Sequence, residues 1–339
     1  MASILEKYAI EFAAGRELGP GDAEAVLDSL ISELDESAIA DLLRAWNAKG
    51  IEENEIFEFA RILRSRMKRV NSRHLTFVDI VGTGGSKAKT FNVSTAAAFV
   101  VAGAGIPVAK HGNKAATSNS GSADVLSELG VDPAADPETS ERCLNEISIC
   151  FMFAPNHHRL SPTLAKVRRG LGFPTIFNCV GPLCNPASAP HQLIGVWDKE
   201  LLPRMAGALA RLGTKKAWIV NGHGLDELSL EATTAVAEVD GETVNVSEIS
   251  PDDFGLERCS LDGMRCSDSV SSSTVINSLL DGLASGGPSE SIVLLNAAAA
   301  VGVARPEIDR HHSVEMVRES IRSGSARRKL EELAAAIPA

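Results

Sequence analysis

Residues 77–95, FVDIVGTGGSKAKTFNVST, decide the fold of this chain. The stretch begins with an apolar, largely β-branched run at 77–81, which predicts a short buried strand. Three glycines follow at positions 82, 84 and 85, where the backbone can turn with positive φ and lie close to a ligand. Residues 96–102 have the composition of a buried helix, and residues that commonly start helices precede them: Asn92, Ser94 and Thr95.

This strand, glycine turn and helix start predict a phosphate-binding loop. Backbone N–H groups and the positive end of the helix dipole attract an anion at such a position. A plain strand–helix turn is the alternative. Two known phosphate loops are excluded, because a Walker loop ends in Gly-Lys-Ser/Thr and a dinucleotide loop needs a glycine where Lys87 stands.

Further apolar runs at 106–109, 147–153, 194–197 and 217–220 alternate with helical patterns and predict a mostly parallel sheet. The polar stretch 110–124 follows one of these strands, so we expect it at the carboxyl edge of the sheet, where ligands of open α/β sheets bind. Its Lys110 and Lys114 lie among hydroxyl and amide donors, which suits a polyphosphate. A polar surface loop is the alternative.

Asp226 and Glu227 follow another strand in a glycine-rich loop. Two carboxylates there are suited to Mg²⁺, which prefers one or two carboxylates together with water and phosphate oxygens. The pair His157–His158 lacks further ligands at metal-binding spacing, so we expect no metal there.

Outside this sheet, the first seventy residues show four amphipathic helical patterns. Strands at 234–239 and 243–246 flank Asp240-Gly241, which favours a hairpin with a type I′ turn. The tail is helical at 289–304 and 313–333, and the alanine-rich first part reads as a buried packing helix.

Composition limits the function classes. The 339 residues are 44% hydrophobic and 23% charged, and the formal net charge is −11. We therefore expect no sequence-independent binding of nucleic acid and no association with anionic membranes. Six cysteines without a CxxC pair, and a start without a signal-peptide pattern, predict a reduced, cytoplasmic protein.

Several motifs, in order along nearly the whole chain, resemble those of the anthranilate phosphoribosyltransferases. They lie at residues 79–85 (DIVGTGG), 92–95 (NVST), 110–113 (KHGN), 118–124 (SNSGSAD), 175–178 (TIFN), 181–183 (GPL), 224–229 (GLDELS) and 323–326 (SGSA). Ser86 differs from many members, which have Asp directly after the glycines.

The resemblance implies a fold similar to the pyrimidine nucleoside phosphorylases, with a small all-α domain and a large α/β domain around a mostly parallel sheet. The helical domain would comprise residues 1–70 joined by about 158–187, and the large domain residues 75–157 and 188–339. The implied reaction transfers the phosphoribosyl group of phosphoribosyl pyrophosphate (PRPP) to anthranilate and releases pyrophosphate, in tryptophan biosynthesis. The family also implies Mg²⁺, a homodimer and possible association with other enzymes of that pathway.

The resemblance also implies the site residues. The PRPP site would contain Gly82, Gly85, Ser86, Thr90, Asn92, Val93, Ser94, Thr95, Lys110, Ser118 and Ser122. Anthranilate would contact Gly82, His111, Asn113, His158, Arg168, Gly181 and Pro182. The metal ligands would be Ser94, Asp226 and Glu227, and the catalytic residues Lys110, Asn113 and Arg168.

Two other functions are open on the sequence. One is a phosphoribosyltransferase or phosphorylase of the same fold that uses another aromatic or base acceptor. The other is a non-catalytic paralogue that binds nucleic acid, which the acidic net charge and the Asp226–Glu227 pair disfavour.

Overall fold

The computed structural model of the chain describes residues 3–19, 21–85, 90–114 and 120–339. Within these ranges a seven-stranded sheet forms the centre, and helices pack against both of its faces. The predicted α/β class, with a mostly parallel sheet and a helical N-terminal unit, is confirmed.

The helices of the N-terminal unit are α1 Ile4–Ala13, α2 Asp22–Ser32, α3 Glu36–Lys49 and α4 Glu53–Arg66. Local signals set their ends. Ser3 and Glu6 form a capping box at the start of α1. The Asp35 carboxylate accepts a hydrogen bond from the Ser37 N–H at the start of α3, and Gly50, at φ +95°, follows its last residue.

A buried carboxylate ties α3 and α4 together. Glu55 is 1% exposed, and its oxygens accept hydrogen bonds from Trp46 Nε1, Lys49 Nζ and the N–H groups of Leu18 and Glu52. Lys49 Nζ lies 2.9 Å from Glu55 Oε1, and the Lys49 side chain is only 4% exposed. The unit is thus built around an ion pair that is almost completely removed from water.

The strands are β1 Val78–Gly82, β2 Val108–Gly112, β3 Ile149–Phe153, β4 His191–Gly195, β5 Lys216–Asn221, β6 Thr234–Asp240 and β7 Thr243–Ile249. Their order is β3-β2-β1-β4-β5-β6-β7, and β1 to β5 pair in parallel. The chain runs outward from β1 to β3 and then returns to the other side of β1 as β4. The strand order therefore reverses between β1 and β4, where ligands of open α/β sheets bind beyond the carboxyl ends.

The predicted hairpin is formed by β6 and β7, which are antiparallel. Gly241 and Glu242 are the two central residues of the turn, between the paired residues Asp240 and Thr243. Gly241 has a φ of +59°, whereas the φ of Glu242 is not positive. A type I′ turn needs positive φ at both central positions, so the predicted turn type is wrong. The reason is that positive φ is costly for a residue with a Cβ, and only the first central position is glycine.

The remaining helices are α5 Val93–Gly103, α6 Ser122–Glu128, α7 Pro137–Ile147, α8 Ala154–His157, α9 Pro162–Leu171, α10 Ile176–Leu183, α11 Leu201–Arg211, α12 Ser269–Leu280, α13 Pro288–Ala304, α14 Arg310–Arg322 and α15 Ser325–Ala336, with short 3₁₀ helices at Pro251–Phe254 and Asp262–Met264. The alanine-rich helix α13 is buried over most of its length and packs against α5, as predicted. Gly324, at φ +72°, divides the predicted second tail helix into α14 and α15.

Two hydrophobic cores lie on the two faces of the sheet. One contains α5, α13 and parts of β1 to β3. The other joins α1–α4 to α9, α10, α11 and the opposite face of β4–β6. Because this second core continues from the helical unit into the sheet, the predicted domain boundaries stay a prediction. None of the helices in the described ranges is long and apolar enough to cross a membrane.

Candidate active site

A cavity of about 500 Å³ opens beyond the carboxyl ends of β1 and β2. The glycine loop after β1 and the loop after β5 line one end, which we call the donor end. The loop after β2, α9 and α10 line the other, which we call the acceptor end. The cavity therefore lies at the carboxyl edge of the sheet, where ligands of open α/β sheets bind.

The glycine loop turns sharply away from β1. The N–H of Thr83 donates to the carbonyl oxygen of Gly195 at 2.9 Å, which continues the pairing of β1 with β4 by one residue. Gly84 and Gly85 then have φ values of +64° and +98°, a conformation that is costly for other residues. The N–H of Gly84 donates to Asp226 Oδ2 at 2.9 Å. The predicted strand and glycine turn are confirmed.

Asp226 and Glu227 reach this loop because Gly195 lacks a side chain. A Cβ on Gly195 would lie 1.5 Å from the Asp226 carbonyl oxygen, a distance at which the backbone has to move. Gly195 pairs with Gly82, where a Cβ would lie 2.8 Å from Asp226 Oδ2. The two glycines at the strand ends thus leave the space in which the acidic pair sits.

Glu227 occupies the start of α5. Its Oε1 accepts a hydrogen bond from the Ser94 N–H at 3.0 Å, although the sequence analysis offered this helix start to an anionic ligand. Its Oε2 is inaccessible and has no hydrogen-bond partner in the described residues. Burial, and then the neighbouring Asp226, hold the pKa of Glu227 well above its usual range. Burial also raises the pKa of Asp226.

Lys110, near the end of β2, is also buried, with 4% exposure. Its Nζ donates to the carbonyl oxygen of Ile80 at 2.6 Å and to Ser94 Oγ at 3.3 Å. Burial lowers the pKa of Lys110 to about 8, although Asp79 and Glu227 act in the opposite direction. Lys110 therefore adds positive charge to the side of the donor end on which Glu227 lies.

The fit of Mg²⁺ can be judged from these donors. Two carboxylates and the Ser94 hydroxyl are oxygen ligands of the kind that Mg²⁺ prefers. Glu227 Oε2 has no hydrogen-bond partner among the described residues, and a cation bound beside it would offset the repulsion between Glu227 and Asp226. The part of the chain that the structure describes has no cluster of three or more His, Cys, Asp or Glu suited to a metal. The donor set therefore fits an ion that completes its coordination with water and substrate oxygens.

Asn92 connects the donor end to two other elements. Its Oδ1 accepts hydrogen bonds from Ser120 Oγ at 2.8 Å and from Ser272 Oγ at 3.0 Å. The Asn92 N–H also donates to Ser272 Oγ at 2.9 Å. This side chain therefore fastens the start of α5 to the loop after β2 and to α12.

The acceptor end contains buried imidazoles. The rings of His111 and His158 lie 5.2 Å apart, centroid to centroid. Burial lowers the pKa of His158 to about 4, and burial together with His158 holds the pKa of His111 well below its usual range. Both rings are therefore neutral at pH 7. In the described residues, His111 Nε2 and both ring nitrogens of His158 have no hydrogen-bond partner.

Arg168, in the last turn of α9, faces the same end. Its guanidinium lies over the Phe177 ring, 5.0 Å from the centroid, and its Nε is inaccessible without a hydrogen-bond partner. Among the described side chains, no carboxylate lies within 4.0 Å of it. Burial lowers the pKa of Arg168 to about 10, so it stays charged at pH 7. A half-buried cation without a counter-ion is suited to an anionic ligand.

Most of the predicted site residues line this one cavity: Gly82, Gly85, Thr90, Asn92, Ser94, Lys110, His111, Asn113, Ser122, His158, Arg168, Gly181, Pro182, Asp226 and Glu227. Val93 and Thr95 do not, because their side chains are 0% and 1% exposed within the core. Ser86 and Ser118 lie outside the described residues. The roles assigned to all these residues stay predictions.

Some lining residues were missed by the sequence analysis. Phe177 and Asn178 belong to the motif TIFN, and the polar amide between apolar residues of this motif is a local signal for a buried contact. Cys266 and Ser267 line the cavity because the segment before α12 packs on the donor end. There the N–H of Phe91 donates to the carbonyl oxygen of Met264 at 3.1 Å. That contact joins distant parts of the chain and leaves no local pattern.

Comparison with known proteins agrees with this geometry. The family model described as "Glycosyl transferase family, a/b domain" matches residues 74–327. Anthranilate phosphoribosyltransferase of Anaeromyxobacter dehalogenans (strain 2CP-1) is 46% identical over 294 residues, which are 87% of each chain.

Two solved structures are similar over nearly the whole chain. The anthranilate phosphoribosyltransferase of Thermus thermophilus has a TM-score of 0.88 and 35% identity, and the match covers 97% of this chain and 98% of the other. The Saccharomyces cerevisiae enzyme in complex with PRPP and Mg has a TM-score of 0.87 and 30% identity, with coverages of 99% and 98%. This chain therefore belongs to the anthranilate phosphoribosyltransferase family.

Proposed function

We propose that this chain transfers the phosphoribosyl group of PRPP to anthranilate, giving N-(5-phosphoribosyl)anthranilate and pyrophosphate, as a step of tryptophan biosynthesis. A C–N bond forms at C1 of the ribose, the bond from C1 to the pyrophosphate oxygen breaks, and the amine loses a proton. One observation carries the proposal: the same cavity has carboxylates and a buried lysine at one end and, at the other, an arginine that has no carboxylate partner among the described residues.

At the donor end, Ser94 and Glu227 would hold one Mg²⁺, and Asp226 with Glu227 a second. The bound ion would neutralise the charge that develops on the departing pyrophosphate. The Lys110 ammonium adds a fixed positive charge, since Ile80 and Ser94 hold its Nζ in place. The backbone of Gly82 and Gly85 lets a phosphate approach closely, because no side chain intervenes.

At the acceptor end, Arg168 would bind the carboxylate of anthranilate, with Gly181 and Pro182 forming the adjacent wall. The aromatic amine is a neutral nucleophile at pH 7, so the reaction needs no strong general base. The rings of His111 and His158 line this end of the cavity and are neutral at pH 7, so they place no charge beside the amine. Asn113, exposed at the mouth of the cavity, would contact the acceptor from the β2 side.

The first prediction concerns Arg168. In Arg168→Ala, we expect the Michaelis constant for anthranilate to rise about tenfold to a hundredfold, because a charged hydrogen bond contributes about 1.5–3 kcal/mol. The Michaelis constant for PRPP should change little. Steady-state kinetics with each substrate varied in turn measures both constants.

Arg169→Ala is the matched control, since Arg169 is exposed and does not line the cavity. It should leave both constants unchanged. If Arg168→Ala raises the two constants equally, or lowers only the melting temperature, Arg168 has a structural role and does not select the acceptor.

The second prediction concerns Ser86. A hydroxyl contributes no charge to a metal site, whereas a carboxylate next to the glycine loop would. We expect Ser86→Asp to change the dependence of turnover on Mg²⁺ concentration, measured from micromolar to millimolar Mg²⁺ at fixed PRPP. Identical profiles for both proteins would mean that this position does not influence the metal.

The function itself is tested by incubating the protein with PRPP and Mg²⁺ and following the loss of anthranilate fluorescence. A panel of other aromatic amines and nucleobases in the same assay tests the alternative acceptors. Turnover of another acceptor with no turnover of anthranilate would overturn the proposed substrate. A gel shift with nucleic acid in physiological salt tests the non-catalytic alternative, and we expect no shift.

The homodimer, the association with other pathway enzymes and the cytoplasmic location stay predictions.

A further inference from the structure

Helix α10 lines the acceptor end of the cavity, and one side chain joins it to the glycine loop. Asn178 Nδ2 donates to the carbonyl oxygen of Thr83 at 3.0 Å. Asn178 Oδ1 accepts from the N–H of Thr175 at 3.0 Å, which closes the first turn of α10. Asn178 is 9% exposed and lines the cavity. The same carboxamide therefore holds both the start of α10 and the loop that follows β1.

The far end of α10 is held differently. The carbonyl oxygen of Pro182 accepts from Gln192 Nε2 at 3.1 Å, and that of Leu183 accepts from Arg64 Nε at 2.6 Å. These donors come from β4 and α4, not from the glycine loop. They satisfy the carbonyl groups that a helix end leaves unpaired.

Just beyond α10, Asn185 is fixed to the sheet. Its Nδ2 donates to Asp79 Oδ2 at 2.7 Å and to the carbonyl oxygen of Ala109 at 2.9 Å, and its Oδ1 accepts from the Ala187 N–H at 2.9 Å. Asp79 Oδ1 in turn accepts from the His111 N–H at 3.1 Å. The far end of α10 is thus tied to β1, β2, β4 and α4, whereas its start is tied to Thr83, directly before the two glycines with positive φ.

We propose that Asn178 is a positioning residue that couples occupancy of the donor end to affinity at the acceptor end. The inference rests on the proposed function, since it takes PRPP and anthranilate as the two ligands. A ligand that fixes the glycine loop fixes the Thr83 carbonyl, and through Asn178 it fixes the start of α10. Phe177, beneath the Arg168 guanidinium, lies in that same turn.

The size of the effect follows from linkage. Two ligands that stabilise the same arrangement raise each other's affinity by an equal factor, commonly about 5-fold to 150-fold. The link from α10 to the glycine loop at Asn178 is a single buried hydrogen bond, so its removal should uncouple the two ends. A residue that only supported the fold would weaken both ligands, whether or not the other is bound.

The experiment measures the dissociation constant of anthranilate, by its fluorescence, in the presence and absence of inorganic pyrophosphate with Mg²⁺. Pyrophosphate fills the donor end without allowing turnover. In the unmodified protein we expect anthranilate to bind at least about fivefold more tightly with pyrophosphate present. We call the dissociation constant without pyrophosphate divided by that with pyrophosphate the coupling ratio. In Asn178→Ala the coupling ratio should fall to within about twofold of one.

Gln192→Leu is the matched control, because it removes another buried carboxamide contact to α10 that does not involve the glycine loop. This variant should keep the coupling ratio of the unmodified protein, even if its melting temperature falls. Asn178→Asp is the second variant, since it retains an acceptor for the Thr175 N–H but loses the donor to Thr83, and it too should lose the ratio.

The proposal is overturned if the coupling ratio of the unmodified protein is about one, or if both Asn178 variants keep the unmodified protein's ratio. It is also overturned if Gln192→Leu lowers the ratio as much as Asn178→Ala does. Turnover of PRPP with anthranilate by the unmodified protein is measured separately. Absence of turnover contradicts the proposed function, whereas turnover without a ratio contradicts only the coupling.

Discussion

Glu227→Gln should lower turnover about a hundredfold to a thousandfold, the usual loss when one group that stabilises developing charge is removed. Glutamine has nearly the same shape as glutamate and can still accept the hydrogen bond from the Ser94 N–H. It replaces the unpartnered Oε2 either by an amide NH₂ or by an uncharged oxygen, so the affinity for a divalent cation falls. Initial rates across a range of Mg²⁺ concentrations measure the effect.

The stability of this variant distinguishes a functional role from a structural one. The pKa of the Glu227 carboxyl is raised on folding, so the folded state binds its proton more tightly than the unfolded chain does. Once the pH exceeds the pKa in the unfolded chain, the group therefore lowers the free energy of unfolding. At pH 7 the removal of this charge should therefore leave the melting temperature unchanged or raise it.

Glu257→Gln, at an exposed position, controls for the loss of one negative charge. Full activity of Glu227→Gln at saturating Mg²⁺ would remove this carboxylate from the mechanism. A sharply lower melting temperature would instead give it a structural role.

Glu55→Gln should have the largest effect on stability and lower the free energy of unfolding by about 3–5 kcal/mol, as is usual when one partner of a buried ion pair is removed. The substitution leaves the Lys49 ammonium, 4% exposed, without its counter-ion. It also replaces one of the oxygens that accept from Trp46 Nε1, Lys49 Nζ and the backbone. Urea unfolding followed by Trp fluorescence and circular dichroism gives the change in midpoint.

Two further variants separate the buried pair from surface charge. Glu58→Gln breaks the more exposed Arg61–Glu58 pair and should cost less than about 1 kcal/mol. Adding Lys49→Met to Glu55→Gln removes both charges and should recover part of the loss, a non-additivity expected of residues in contact. A cost below about 1 kcal/mol for Glu55→Gln would show that the pair contributes little.

The local parts of the structure could be predicted from the sequence. Residues 77–81 form β1 and the glycines turn after it, because apolar β-branched runs and positive φ are set by neighbours in the chain. The buried character of α13 likewise follows from its own alanine-rich composition. The sheet edge that carries the site also follows, since parallel strands separated by helices place their carboxyl ends together.

The contacts that complete the site could not be predicted in this way. Nothing near Ser94 indicates that Glu227 will accept its N–H, and nothing near Thr83 points to Asn178. Each contact joins residues that only the strand order brings together. Asp226 and Glu227 can be placed after a strand from the local sequence, but the strand that they face depends on the strand order.

The glycines at the ends of β1 and β4 have a consequence for tracing distant relatives of this protein. The place of the acidic pair depends on Gly195, which has no functional group and lies in another part of the chain. A relative that keeps both carboxylates but has a bulkier residue here cannot hold them at the same point. The small residue at the strand end is thus as informative about retained chemistry as the acids themselves, and a search guided only by reactive side chains would overlook it.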